Sequence, residues 1–200
     1  MTDVFIWTRG GRRISLVSPT VEDVAPTIVA PVLARINRWN GHLMCDHYSV
    51  AQHLVICSYL VPEPFAKPAL GHDIHEIGTG DISSPMKALA RRECPEAFGW
   101  LDAVAGRFDL MVEKRYGIEL RPMAREVKVA DGACAVLESL VHVGAPESEV
   151  RAHFGDALFE TASRLATALP ASVGSMLAPL APRDAERCWL QRLDELGGTR

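Results

Sequence analysis

The sequence predicts an all-α fold: a compact helical bundle with one small β-hairpin at its N-terminus. Three observations point there. Apolar residues recur at helical spacing along most of the chain, Gly or Pro stands at most junctions between those stretches, and strand-like runs occur only near the start. The 200 residues, 48% hydrophobic and 23% charged, suffice for one well-buried core and read as a single domain.

The runs Val4 to Trp7 and Ile14 to Val17 flank Gly10-Gly11, predicting a hairpin within residues 1–18. Ser18-Pro19-Thr20 followed by Glu22 and Asp23 opens a helix, because the hydroxyl can cap it and the carboxylates face the positive end of its dipole. Val21, Val24, Ile28, Val32 and Ile36 carry that face on towards Arg38, with Pro26 and Pro31 expected to bend or split it. A second helix is predicted over Tyr48 to Leu60, then a proline-rich break, then a third over Ala69 to Ile77 that Gly78-Thr79-Gly80 ends. Asp81 to Arg92, Glu96 to Tyr116, Pro122 to Val141, Pro146 to Leu169 and Pro182 to Leu196 complete the series. Residues 21–141 form the expected core of the domain and residues 146–200 its C-terminal helices. The apolar stripe of Leu158, Ala162, Leu165, Ala166 and Leu169 is read as core, with a homodimer contact as the alternative.

Composition narrows the function. A formal net charge of -4 leaves no basic excess for gripping a nucleic-acid polymer, although a small phosphorylated ligand stays open. The longest apolar run, Val50 to Val61, is interrupted by Gln52, His53 and Ser58 well short of the roughly 20 residues that a membrane span needs. Met1-Thr2-Asp3-Val4 does not open a secretory signal. Five cysteines without a CxxC pair read as free thiols in a reducing, cytoplasmic setting.

Chemistry concentrates in Ala69-Leu70-Gly71-His72-Asp73-Ile74-His75-Glu76-Ile77, where four ionisable groups interrupt an apolar stretch. On a helix His72 and Glu76 stack one turn apart with Asp73 beside them, so that a nitrogen and an oxygen can serve one divalent cation while Glu76 orients a water. His53 stands on an otherwise apolar helix and Asp131 among small and apolar residues. Three helices bringing His53, His72, Asp73 and Asp131 together would make a mixed nitrogen and oxygen site with positions left for water and substrate. Each residue alone has a plainer reading: a hydrogen-bonded core histidine, a solvated carboxylate, a tryptophan plugging the core at Trp39, or a helix terminator at Thr79-Gly80-Asp81.

The ordered set resembles the HD-domain metal-dependent phosphohydrolases. More narrowly, Ile36-Asn37-Arg38-Trp39, Tyr48-Ser49-Val50-Ala51-Gln52-His53, His72-Asp73 with Glu76, Thr79-Gly80-Asp81-Ile82, Pro85-Met86-Lys87, Val127-Lys128 and Asp131 resemble the 5′-deoxynucleotidase branch and the phage deoxynucleoside triphosphohydrolases beside it. The resemblance runs from about Ile36 to Glu138. It implies hydrolysis of a deoxynucleotide phosphate with one divalent metal ion, be it Mn, Co, Zn, Fe or Mg, held by His53, His72, Asp73 and Asp131. It implies Glu76 as the acid/base, Asp81 as a carboxylate near the sugar and scissile phosphate, and Arg38 and Trp39 as the pair that grips phosphate and excludes a 2′-hydroxyl. Lys87 and Lys128 would be phosphate contacts. Monophosphate hydrolysis is the leading expectation and triphosphate hydrolysis the alternative. Two readings from other classes remain at this point: a nucleotide-binding regulator without turnover, and a two-metal oxygenase of the same fold using the nearby His42, His47 and His75.

Overall fold

The computed structural model describes residues 4–199, which form an all-α protein with one two-stranded hairpin. Strands β1 (Phe5–Trp7) and β2 (Arg13–Ser15) pair antiparallel, Phe5 opposite Ser15 and Trp7 opposite Arg13. The turn falls at Gly10 and Gly11 because their φ angles of 85° and 79° are closed to most side chains. Residues 1–3 of the expected hairpin lie outside the described residues.

The helix expected up to Arg38 is two shorter pieces. Val21–Val24 is a single 3-10 turn, fixed by the Asp23 carboxylate accepting from the Thr20 N–H at 2.7 Å. Helix α1 (Pro26–Leu33) restarts at a proline, which needs no intrahelical donor in a first turn. Pro31 is carried inside α1. The chain then leaves the helix so that Asn37 can bridge Ser49, its side-chain oxygen accepting from the Tyr48 N–H at 2.9 Å. Helix α2 (Val50–Tyr59) starts at Ser49, whose hydroxyl accepts from the Gln52 N–H. Val50 through Ser58 are all buried, and α2 runs through the middle of the molecule.

The segment bearing His72 and Asp73 also departs from expectation. Helix α3 (Glu63–Gly71) begins within the proline-rich break expected at Pro62, Pro64 and Pro68: Pro62 precedes it, Pro64 sits in its first turn and Pro68 is tolerated within it. The helix stops at Gly71. Tight turns closed by Ile74 N to Gly71 O and Glu76 N to Asp73 O, both 3.1 Å, lead into the short α4 (Glu76–Thr79). His72 and Glu76 therefore belong to different elements, not to one continuous helix. Two close approaches seat this turn: a Cβ on Gly71 would stand 2.8 Å from Ile118 Cδ1, and one on Gly78 would overlap the Phe108 ring.

Next come α5 (Ser84–Glu93), α6 (Pro95–Tyr116) and α7 (Arg125–Glu138), the last widening into a π-turn over Ser139–Val143. The single helix expected from Pro146 to Leu169 is split at Gly155, with φ 83°, into α8 (Glu147–Phe154) and α9 (Asp156–Ala168). A short α10 (Ala171–Gly174) and α11 (Pro182–Glu195) close the chain.

The main core gathers Leu33 of α1, Leu54 of α2, Leu70 of α3 and Phe108 of α6 around the fully buried Trp189 of α11. The Trp189 indole donates to the Leu70 carbonyl at 3.3 Å and meets Tyr116 edge to face. The α9 stripe turns inward as expected, with Ala162 buried and Leu158 and Leu165 packed beside Phe159 and Ala133. Among the described residues no helix is long and apolar enough to cross a membrane, and all five cysteines are free thiols.

Candidate metal centre

Four of the expected side chains converge from α2, α7 and the turn after α3. His53 Nε2 lies 3.3 Å from Asp131 Oδ1 and 4.0 Å from Asp73 Oδ2; His72 Nε2 lies 3.4 Å from Asp73 Oδ2 and 3.9 Å from Asp131 Oδ1. Both rings are buried.

Their tautomers follow from what the other ring nitrogen faces. His53 Nδ1 is 2.7 Å from Glu138 Oε1, and His72 Nδ1 is 2.8 Å from the Ala69 carbonyl. Each partner only accepts, so each Nδ1 carries the hydrogen and each Nε2 presents a lone pair to the Asp73 and Asp131 carboxylates. His72 Nε2 is buried with no hydrogen-bond partner, as is Glu76 Oε2. Two imidazole lone pairs and two carboxylates aimed at one another repel unless a cation lies among them. The residues thus fit a divalent metal, with Glu138 and the Ala69 carbonyl orienting the rings from outside.

Electrostatics agrees. Burial disfavours a charged His72 ring, yet Asp73 and Asp131 more than reverse this and raise its proton affinity; that of His53 rises too. Burial would raise Asp131, but the His53 and His72 rings that face it hold it well below the usual carboxylate range. A field that draws protons to these nitrogens also draws a metal cation. Glu76 behaves oppositely: burial, then the Asp73 and Asp81 charges, push its carboxyl well up. A carboxyl so raised takes up a proton more readily than a solvated one, as an acid/base group must.

Glu138 is the functional candidate that sequence reasoning missed. Fully buried at the end of α7, it binds His53 through Oε1 and takes Arg38 Nε at 3.0 Å and Trp39 Nε1 at 2.9 Å on Oε2. Burial would raise it, but Arg38 and His53 hold it down at about 2. Its signal was present in the sequence: a lone acid in the apolar run Ala133 to Val141, two helical turns beyond Asp131. Arg38 and Trp39 reach it through a chain bend in which Trp39 and Asn40 take φ of 57° and 50°, the left-handed region that a bulky aromatic rarely enters.

These groups open into a cavity of about 390 Å³. Arg38, Trp39, Asp73, Glu76, Asp81, Lys87 and Asp131 line it, and so do residues of α8, beyond the expected core at 21–141. Asp81 enters from the loop before α5, where burial raises its carboxyl. Lys128 is exposed on α7 and outside the cavity lining. Of the additional histidines, His42 is exposed, His47 Nε2 bonds the Ala34 carbonyl at 2.9 Å and His75 Nδ1 lies 3.1 Å from Asp109. Groups of His, Cys, Asp and Glu close enough to hold a metal ion are His53, His72 and Asp73; Asp73, His75 and Glu76; and His53, Cys57 and Cys134.

No family model matches the chain. It is 34% identical over 166 residues, 74% of this chain and 79% of the relative, to the uncharacterized protein RCAP_rcc00048 of Rhodobacter capsulatus. It is 35% identical over 127 residues, 64% of this chain and 66% of the relative, to the uncharacterized protein YfdR of Escherichia coli. The chain belongs to one family with the Rhodobacter capsulatus protein.

Proposed function

We propose that this protein is a metal-dependent phosphohydrolase that removes phosphate from deoxynucleoside monophosphates. The observation that carries the reading is the convergence of two imidazole Nε2 atoms with Asp73 and Asp131 at the wall of a cavity that also takes in Arg38, Trp39 and Glu76. His53, His72, Asp73 and Asp131 would hold one divalent cation, of Mn, Co, Zn, Fe or Mg. When bound, such a cation supplies a water of lowered pKa and polarises the phosphoryl oxygens.

The protein's own groups do the rest. Glu76, buried beside Asp73, accepts the proton of the attacking water and returns one to the leaving oxygen. Arg38, held through Nε by Glu138, turns the rest of its guanidinium towards Asp73 and the phosphate, and Lys87 adds positive charge from α5. The Trp39 ring, fixed at its indole nitrogen, would exclude a ribose 2′-hydroxyl. Asp81 would meet the sugar.

Incubating the protein with each of Mn²⁺, Co²⁺, Zn²⁺, Fe²⁺ and Mg²⁺, and with ribo- and deoxynucleoside mono-, di- and triphosphates, tests this. Orthophosphate should appear from deoxynucleoside monophosphates and far less from their ribo counterparts. Tripolyphosphate released from triphosphates would move the assignment to the triphosphohydrolase. No product with any metal bound would refute the reading.

A further inference from the structure

The cavity is larger than the hydrolytic groups need. At about 390 Å³ it falls among pockets that take whole drug-sized ligands, roughly 300–1,000 Å³. Its lining divides by element. Arg38, Lys87 and the carboxylates of the candidate metal centre form one group; Val143, Ala145, Val150 and Phe154, with Glu149 and His153 among them, come from the π-turn and α8.

The second group comes from the part of the chain without a legible motif. The π-turn at Ser139–Val143 follows directly on Glu138, and the Ala145 N–H closes it on the Ser139 carbonyl at 3.0 Å. One end of this turn therefore serves Arg38 and His53 while the other begins the apolar wall. On α8, His153 meets the Phe154 ring edge to face at 4.7 Å and braces it. Arg151 pairs with Glu147, Asp156 and Glu160, and leaves the Glu149 carboxylate with no hydrogen bond or ion pair among the described residues. A free carboxylate on a cavity wall repels phosphate and accepts hydrogen bonds from an amino group.

We infer that the α8 side of the cavity is a subsite for the nucleobase, with Phe154 and Val150 packing against the ring and Glu149 accepting from an exocyclic amine. The site thereby favours adenine, cytosine and guanine over thymine. This rests on the phosphohydrolase reading for the placement of the phosphate beside Arg38 and Lys87, but the base subsite is measurable without phosphate or turnover.

The test is equilibrium binding of deoxyadenosine and thymidine to the intact protein, alongside hydrolysis of the four deoxynucleoside monophosphates and of 2-deoxyribose 5-phosphate. Because Glu149 is exposed, Glu149→Leu leaves the core untouched. The wild type should bind deoxyadenosine about tenfold more tightly than thymidine, the worth of one hydrogen bond to a charged group, and Glu149→Leu should erase that preference. Hydrolysis of 2-deoxyribose 5-phosphate should be equal in both proteins. Equal binding of the two nucleosides by the wild type, or a preference that survives Glu149→Leu, overturns the subsite. Failure of the phosphohydrolase reading would show separately, as no phosphate from any substrate, and the nucleoside binding would still decide the subsite.

Discussion

Glu138 ties together three residues that a linear reading treats separately. Its two oxygens fix the His53 tautomer, orient the Arg38 guanidinium and anchor the Trp39 indole. Losing its charge would leave Arg38 without its buried partner and weaken the reason for His53 to keep its hydrogen on Nδ1. Glu138→Gln should therefore lower metal affinity or turnover by about 10–100-fold, as loss of a partner behind a metal ligand does elsewhere. Metal titration together with kcat and KM measures this, and a purely structural role would lower the melting temperature while leaving both unchanged in the folded protein. His53, His72, Asp73 and Asp131 were legible because charged or polar residues inside apolar runs need a reason to be there. Glu138 satisfies the same criterion, as a lone acid between Ala133 and Val141, but no second ligand-type residue stands beside it to draw attention.

Among the elements, the turn from Gly71 to Thr79 replaces the single helix that the sequence pattern predicts. Its apolar and charged pattern suits one helix, yet Gly71 and Gly78 allow it to lie directly against Ile118 and Phe108, which requires tighter turns than an α-helix provides. That demand comes from α6 and its flank, far along the chain, and no local window contains it. The prolines misled for a related reason: Pro64 occupies a first turn and Pro68 an interior position that the surrounding packing tolerates. Gly78 makes the dependence testable. Gly78→Ala drives a methyl into Phe108 and should destabilise the protein by about 1–3 kcal/mol, as overpacking of a core does. In a protein of this size that lowers the melting temperature by roughly 2–12 °C. A variant as stable as the parent would show that α4 is not held against α6 as described. The π-turn after Glu138 was illegible in the same way, since nothing in Ser139 to Val143 distinguishes it from more α-helix.

Across the whole molecule, the C-terminal helices do more than enclose the core. Trp189 of α11 donates to the Leu70 carbonyl two residues before His72, and α8 walls the cavity that opens at the candidate metal centre. The all-α class and most junctions were readable because Gly and Pro punctuate the chain, whereas the participation of residues after Val141 depends on long-range packing that no motif encodes. The central claim is that one site binds a divalent cation. Such a cation, at about 100 times its dissociation constant, should stabilise the fold by about 2.7 kcal/mol if it binds the folded state alone. The direct measurement is calorimetric titration of the metal-stripped protein with Mn²⁺, in the parent and in Asp131→Asn. The account predicts one ion per chain in the parent and none in the variant. Absence of binding in the parent, or binding that Asp131→Asn leaves intact while Cys57→Ser removes it, would contradict it.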